Sequence, residues 1–124
     1  MPEKYLYEYT VIRVVPRVER EEFFNVGIIL FCKALGFLKV MYEVNEKKLS
    51  SFCTQMELSD LEDYLATFEN IANGSGPIGQ YPLAERFRWL TATRSTVIQT
   101  SKTHPGLTTD PSKKLVQLFE ELVK

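Results

Sequence analysis

Apolar and polar positions along this chain follow two rhythms, and the point where one gives way to the other divides it into a strand-rich first third and a helix-rich remainder. Tyr5 to Pro16 is dominated by Tyr, Val, Ile and Thr, whose branched or aromatic side chains suit a pleated, half-buried surface, and predicts a first strand. Phe23 to Cys32 is apolar on both alternating faces, with Phe24, Val26, Ile28 and Leu30 on one and Phe23, Ile29 and Phe31 on the other. That pattern predicts an interior strand covered on both sides. Gly27 interrupts the run and marks either a bulge, the plainer reading, or a place where another backbone or a ligand comes close. Lys33-Ala34-Leu35-Gly36 suits a hairpin connection into a third strand, Phe37 to Val44, whose second face mixes Phe37 and Met41 with Lys39 and Glu43 and so predicts partial exposure.

From Asn45 the spacing changes to three and four. Asn45 is placed to cap a short helix through Leu49, Phe52, Cys53 and Met56. Ser59-Asp60-Leu61-Glu62 reads as a capping box, and the helix behind it carries the stripe Leu61, Tyr64, Leu65, Phe68, Ile71 and Ala72 up to the stop signal Asn73-Gly74. An aromatic stripe at this spacing reads as core, not as a cofactor box. Asn73 to Pro82 is a loop rich in glycine and proline; it matches neither phosphate-binding glycine pattern and follows its helix instead of preceding one. Leu83 to Leu90 predicts a short helix, Ser95 to Ser101 a β-branched strand, and Lys102 to Thr109 a loop through His104-Pro105-Gly106. Asp110-Pro111 then opens a terminal helix that faces inward with Leu115, Leu118, Phe119 and Leu122. Hairpin-linked strands followed by segregated helices predict an α+β fold: one antiparallel sheet of about four strands, helices packed on one face, and a late strand beside the first or the third.

Composition changes this picture little. A chain of 124 residues forms a single domain over 1–124 and can bury roughly two thirds of its unfolded surface without metal or disulfide. Apolar residues at 44% and charged residues at 25% are ordinary for a globular protein, and a formal charge of -1 gives no bulk attraction to nucleic acid or anionic membrane. Nucleic-acid binding is further disfavoured because no basic helix, zinc spacing or stacking-aromatic pattern is present. The apolar runs are too short for a membrane span or a signal peptide, so the expectation is a soluble cytoplasmic protein. Cys32 and Cys53 fit no metal or redox spacing and read as structural thiols, and nothing calls for a cofactor.

Charge type is more informative than charge number. All six arginines fall in two short segments, Arg13, Arg17 and Arg20 in the first hairpin and Arg86, Arg88 and Arg94 around the short helix, whereas nine lysines are scattered. The guanidinium fork matches carboxylate or phosphate with two bonds, so arginine is used where geometry matters. Should the late strand lie beside the first, both segments meet at one sheet end with Asn25, Ser95, Thr96 and His104 nearby as an anion pocket, making Arg13, Arg17, Arg20, Asn25, Arg86, Arg88, Arg94 and Ser95 the candidate ligand-binding set. Against this stands a structural reading, in which Glu19, Glu21, Glu22 and Glu85 pair with these arginines and tie the hairpin to the short helix. Trp89 reads as core beside Phe87 and Leu90, and His104, the single histidine, as a surface residue.

The segments VIRVVPRVEREEFFNVGIILFC and ERFRWLTATRSTVIQTSKTHPGLTTDP give this chain its resemblance. R-x-x-P-R-x-E-R followed by N-x-G-x-x-L-F, and R-F-x-W-L near R-S-T, resemble the uncharacterised bacterial domain-of-unknown-function family numbered 3037, over nearly the whole chain. The resemblance implies no assigned activity. It does imply a setting, since members are often encoded beside a HipA-like serine/threonine kinase, which makes such a kinase the partner to expect. Two functions follow. The first is a non-catalytic binding or accessory module that docks on a protein partner through the arginine-rich end. The alternative is a small enzyme or sensor for a phosphorylated or nucleotide-like ligand, with Arg13, Arg17, Arg88 and Arg94 as clamp and Glu19 or His104 as acid or base.

Overall fold

Strand β1, Tyr5–Arg17, is the spine of the molecule, because every other strand but one pairs with it. The computed structural model describes residues 3–17, 22–44, 58–92 and 98–124. Strand β2, Glu22–Cys32, lies antiparallel to β1 on one side and to β3, Phe37–Tyr42, on the other. Along the opposite edge of β1 two short strands sit end to end: β4, Ile98–Thr100, pairs with Ile12 to Val14, and β5, His104–Thr108, pairs with Tyr5 to Tyr9. The late strand therefore joins the first, and among the described residues the antiparallel sheet has five strands.

The fifth strand occupies the segment whose Pro-Gly pair predicts a loop. Pro105 is tolerated because β5 is an edge, where a missing N–H costs no ladder bond. Gly106 is required there, because the ring of Tyr7, its register partner, lies where a β-carbon would stand. Between the two short strands Ser101 makes the splice. Its N–H donates to Val11 O at 2.9 Å, and its hydroxyl accepts from Val11 N at 2.9 Å. Thr10, a fully buried polar side chain, donates from Oγ1 to Ser101 O at 2.6 Å. Thr10→Val keeps the volume but removes that donor, so urea denaturation should show a loss of about 1–3 kcal/mol, most of which Thr10→Ser recovers; equal losses for both would place the effect in packing.

Helices cover both faces of the sheet. Helix α1, Leu58–Ala72, and helix α2, Leu83–Thr91, pack on one face. There Leu61, Leu65, Phe68, Ile71, Phe87 and Leu90 form a core with Ile12, Val14, Val26, Ile29, Phe31, Leu38 and Val40. Helix α3, Pro111–Leu122, packs on the other, its Leu115, Leu118 and Phe119 against Tyr7, Val11, Ile28, Leu30 and Cys32. The expectation of helices on one face is thus corrected. The physical reason was already in β2, whose apolar residues on both faces need cover on both.

Local signals set the ends of these helices. Asp110 caps α3, its carboxylate accepting from Ser112 N at 3.0 Å and Lys113 N at 3.3 Å, with Pro111 as the first helical residue. Helix α1 stops as predicted, at a left-handed Gly74 (φ 95°), with Gly74 N bonded to Ile71 O and Ser75 N to Asn70 O. Ser59 lies inside its first turn, not at its cap. The predicted helix through Leu49, Phe52, Cys53 and Met56 falls outside the described residues, as does the start of the Ser95–Ser101 strand.

Candidate functional site

The alternation of β1 places Tyr7, Tyr9, Val11 and Arg13 on the α3 face. Arg13 pairs in register with Asn25 of β2 and Gln99 of β4, so a polar row crosses three strands where the apolar cover of α3 ends. A bulge puts Asn25 there. The register slips by one residue between Ile12↔Gly27 and Arg13↔Asn25, leaving Val26 extra. Val26 consequently shares the α1/α2 core with Phe24, and Asn25 is turned to the opposite face.

Asn25 is anchored. Its Nδ2 donates to Leu122 O at 2.8 Å, satisfying one of the carbonyls that the C-terminal turn of α3 leaves over. Its Oδ1 is buried and accepts no hydrogen bond from any of the described residues. Arg13 is half-buried and holds contacts of its own, and at the end of β1 Arg17 stands opposite Glu22 in register. Arg20, Arg94 and Ser95 lie outside the described residues.

Arg86 and Arg88 belong to the other side of the sheet. Arg86 donates from Nε to Tyr81 O at 2.8 Å and from a terminal guanidinium nitrogen to Ala72 O at 3.1 Å. It clamps the end of α1 to the turn that leads into α2, a structural task that neither the ligand reading nor the ion-pair reading foresaw. Glu85, offered as its neighbour's counter-ion, is exposed and makes no ion pair among the described residues. Arg88 is exposed, with one long bond to Ala84 O at 3.4 Å within its own helix. The structure therefore brings Arg13 and Asn25 together, and it puts the whole sheet between them and Arg86 and Arg88.

Other candidates resolve more simply. Trp89 is half-buried against the α1/α2 core, and Cys32 is fully buried. His104 is exposed, its ring 5.2 Å from that of Tyr9. The glycine-rich loop folds on itself, with Gln80 Nε2 donating to Gly74 O at 3.0 Å, and it sits at the C-terminal, electronegative end of α1, the wrong pole for phosphate. Burial, reinforced by the carboxylates of Glu69 and Glu62, raises the pKa of Tyr42 above its ordinary 10.0; the carboxylate of Glu3 does the same for Tyr5, helped by burial and a hydrogen bond. Both phenols are neutral at physiological pH. Among the described residues no cluster of His, Cys, Asp or Glu could hold a metal ion, and no helix is long and apolar enough to cross a membrane.

One surface feature escaped the sequence reading. A cleft of about 460 Å³ opens on the α1/α2 face, lined by Leu6, Glu8, Phe31, Lys33 and Ala34. The alternation Leu6, Glu8 against Tyr7, Tyr9 carried the signal, but its partner strand β5 lay in the presumed loop.

A family model described as a protein of unknown function, DUF3037, matches residues 9–123. No curated protein and no solved structure matches the chain.

Proposed function

Because this chain belongs to the DUF3037 family, whose description assigns no activity, we propose its function from its own geometry: a non-catalytic binding module that acts with a protein partner through the polar row at the hairpin end of the sheet. Asn25 Oδ1 carries this reading. A buried acceptor without a donor costs about 1–3 kcal/mol, and such a group calls for an explanation. Docking of a partner that supplies an N–H or O–H donor would relieve it, and the neighbouring Arg13 would add a charge-assisted contact to a carboxylate or carbonyl.

The competing idea, a clamp on a phosphorylated or nucleotide-like ligand, asks Arg13 and Arg88 to act on one small molecule. They stand on opposite faces of the sheet, so a shared small ligand finds no support in their placement. A protein surface makes no such demand, since it needs only one face.

The kinase implied by the family resemblance is the first partner to try. With the immobilised chain as bait, a HipA-like kinase should be retained at micromolar concentration, and retention should fall as salt rises because a guanidinium takes part. Arg13→Gln, checked for an unchanged fold by circular dichroism, should weaken retention about tenfold. Absence of retention at micromolar concentration defeats this partner, and retention indifferent to Arg13→Gln defeats the assigned surface.

A further inference from the structure

On the α1/α2 face the helical cover ends where Phe87 stacks on Phe31, ring centroids 5.1 Å apart. The sheet continues past that point. Leu6 and Glu8 of β1 share a face with their register partners Leu107 and Pro105 of β5, while Tyr7 between them turns into the α3 core. Leu6 is 58% exposed and Leu107 63%, the two most exposed large apolar side chains among the described residues. Leu35, in the Lys33–Leu35 turn at the rim, is exposed as well.

This patch has both halves of a contact. Its hollow is the cleft of about 460 Å³ lined in part by Leu6, Phe31 and Ala34, and its projection is Leu107, which neighbours Leu6 and is not among the lining residues. Its charges are paired in the same sense, because Glu8 and Lys33 line one cleft and form no ion pair among the described residues. A two-fold contact uses the same patch on both copies, so each copy must carry a knob with a hole and an acid with a base, and this patch carries both. Pro105 on the outer strand works against joining sheets edge to edge, which leaves side-chain contact between faces as the mode of association.

We propose that two copies of this chain associate through this patch as a two-fold symmetric dimer, Leu107 of each copy seated in the cleft of the other and Glu8 of each facing Lys33 of the other. Leu6 and Arg13 are seven residues apart on β1, about 23 Å, so the dimer surface is separate from the polar row. Its success or failure leaves the partner-binding test untouched.

Sedimentation equilibrium of the full chain from 1 to about 200 μM, a range chosen to span the dissociation constants of ordinary homodimers, provides the test. The expected result is a reversible dimer whose dissociation constant rises about 100-fold or more with Leu107→Glu. Glu8→Lys and Lys33→Glu should each weaken it about tenfold, and the double reversal should restore it to within about threefold. Leu107 and Lys33 are exposed and Glu8 is half-buried in the cleft wall, and circular dichroism melts should confirm that all variants fold. A chain that stays monomeric overturns the proposal, including one whose cleft takes up a small apolar molecule or a foreign peptide. So does a dimer indifferent to Leu107→Glu, or a double reversal no tighter than its parents.

Discussion

Replacing Gly27 with alanine will lower the unfolding free energy by about 1–3 kcal/mol, shifting the urea midpoint with little change in slope. A β-carbon at this position would stand 2.9 Å from Met41 O, 3.0 Å from Tyr42 Cβ and 3.2 Å from Ile12 Cδ1. The tightest of these contacts is with the backbone of β3, which is held in register from Gly27↔Tyr42 to Cys32↔Phe37 and cannot step aside without breaking ladder bonds. Ile12 is a side-chain tip and can adapt. Trimming it with Ile12→Val should therefore fail to rescue the alanine variant, and the two losses should add. Full rescue would show that Ile12 is the real obstacle. A neutral alanine would show that the close approach of β2 to β3 has no energetic weight.

Arg86→Ala will cost about 2–3 kcal/mol, whereas Arg88→Ala will stay within about 0.5 kcal/mol. The contrast tests the different uses of two arginines two residues apart. Arg86 holds two carbonyls, Ala72 O and Tyr81 O, and so fixes the turn between α1 and α2. Removing it leaves a helix-end carbonyl with water as its alternative partner and frees a turn that contains two left-handed glycines, Gly74 and Gly76. Lysine will not restore the loss, because a single ammonium cannot reproduce the fork. Thermal denaturation of the three variants is sufficient. A large loss for Arg88→Ala, or full recovery by Arg86→Lys, would contradict these roles.

The elements of this protein were legible in its sequence wherever a local signal is strong. Aromatic and branched alternation marks β1 to β3, Asp110-Pro111 opens α3, and the stripe from Leu61 to Ala72 with its glycine stop gives α1. The α+β class followed from their order. What escaped the reading depends on contacts between distant residues. Pro105-Gly106 reads as a loop because both residues are poor strand formers; only the edge position of β5 and the ring of Tyr7 over Gly106 make a strand there possible. The candidate site was legible in part. The alternation of β1 sets the face of Arg13, but whether Asn25 shares that face turns on one extra residue of β2, Val26, and a glycine in a strand announces a bulge without saying which neighbour is displaced. Clustering along the chain also cannot tell an arginine that braces a turn from one that meets a partner, since both employ the same fork.

The splice at Ser101 has a consequence for how the protein is made. Thr10 and Ser101 are 91 positions apart, and the whole outer side of the first strand is completed by residues from the last quarter of the chain. During synthesis the leading hairpins emerge early, yet they carry a bare flank until the ribosome has released Thr108. Contacts of such long sequence separation slow folding and lengthen the interval in which an unfinished sheet can recruit the wrong neighbour. A nascent chain halted before Ile98 should accordingly remain protease-sensitive and chaperone-bound, and acquire protection only when the final segment closes the seam.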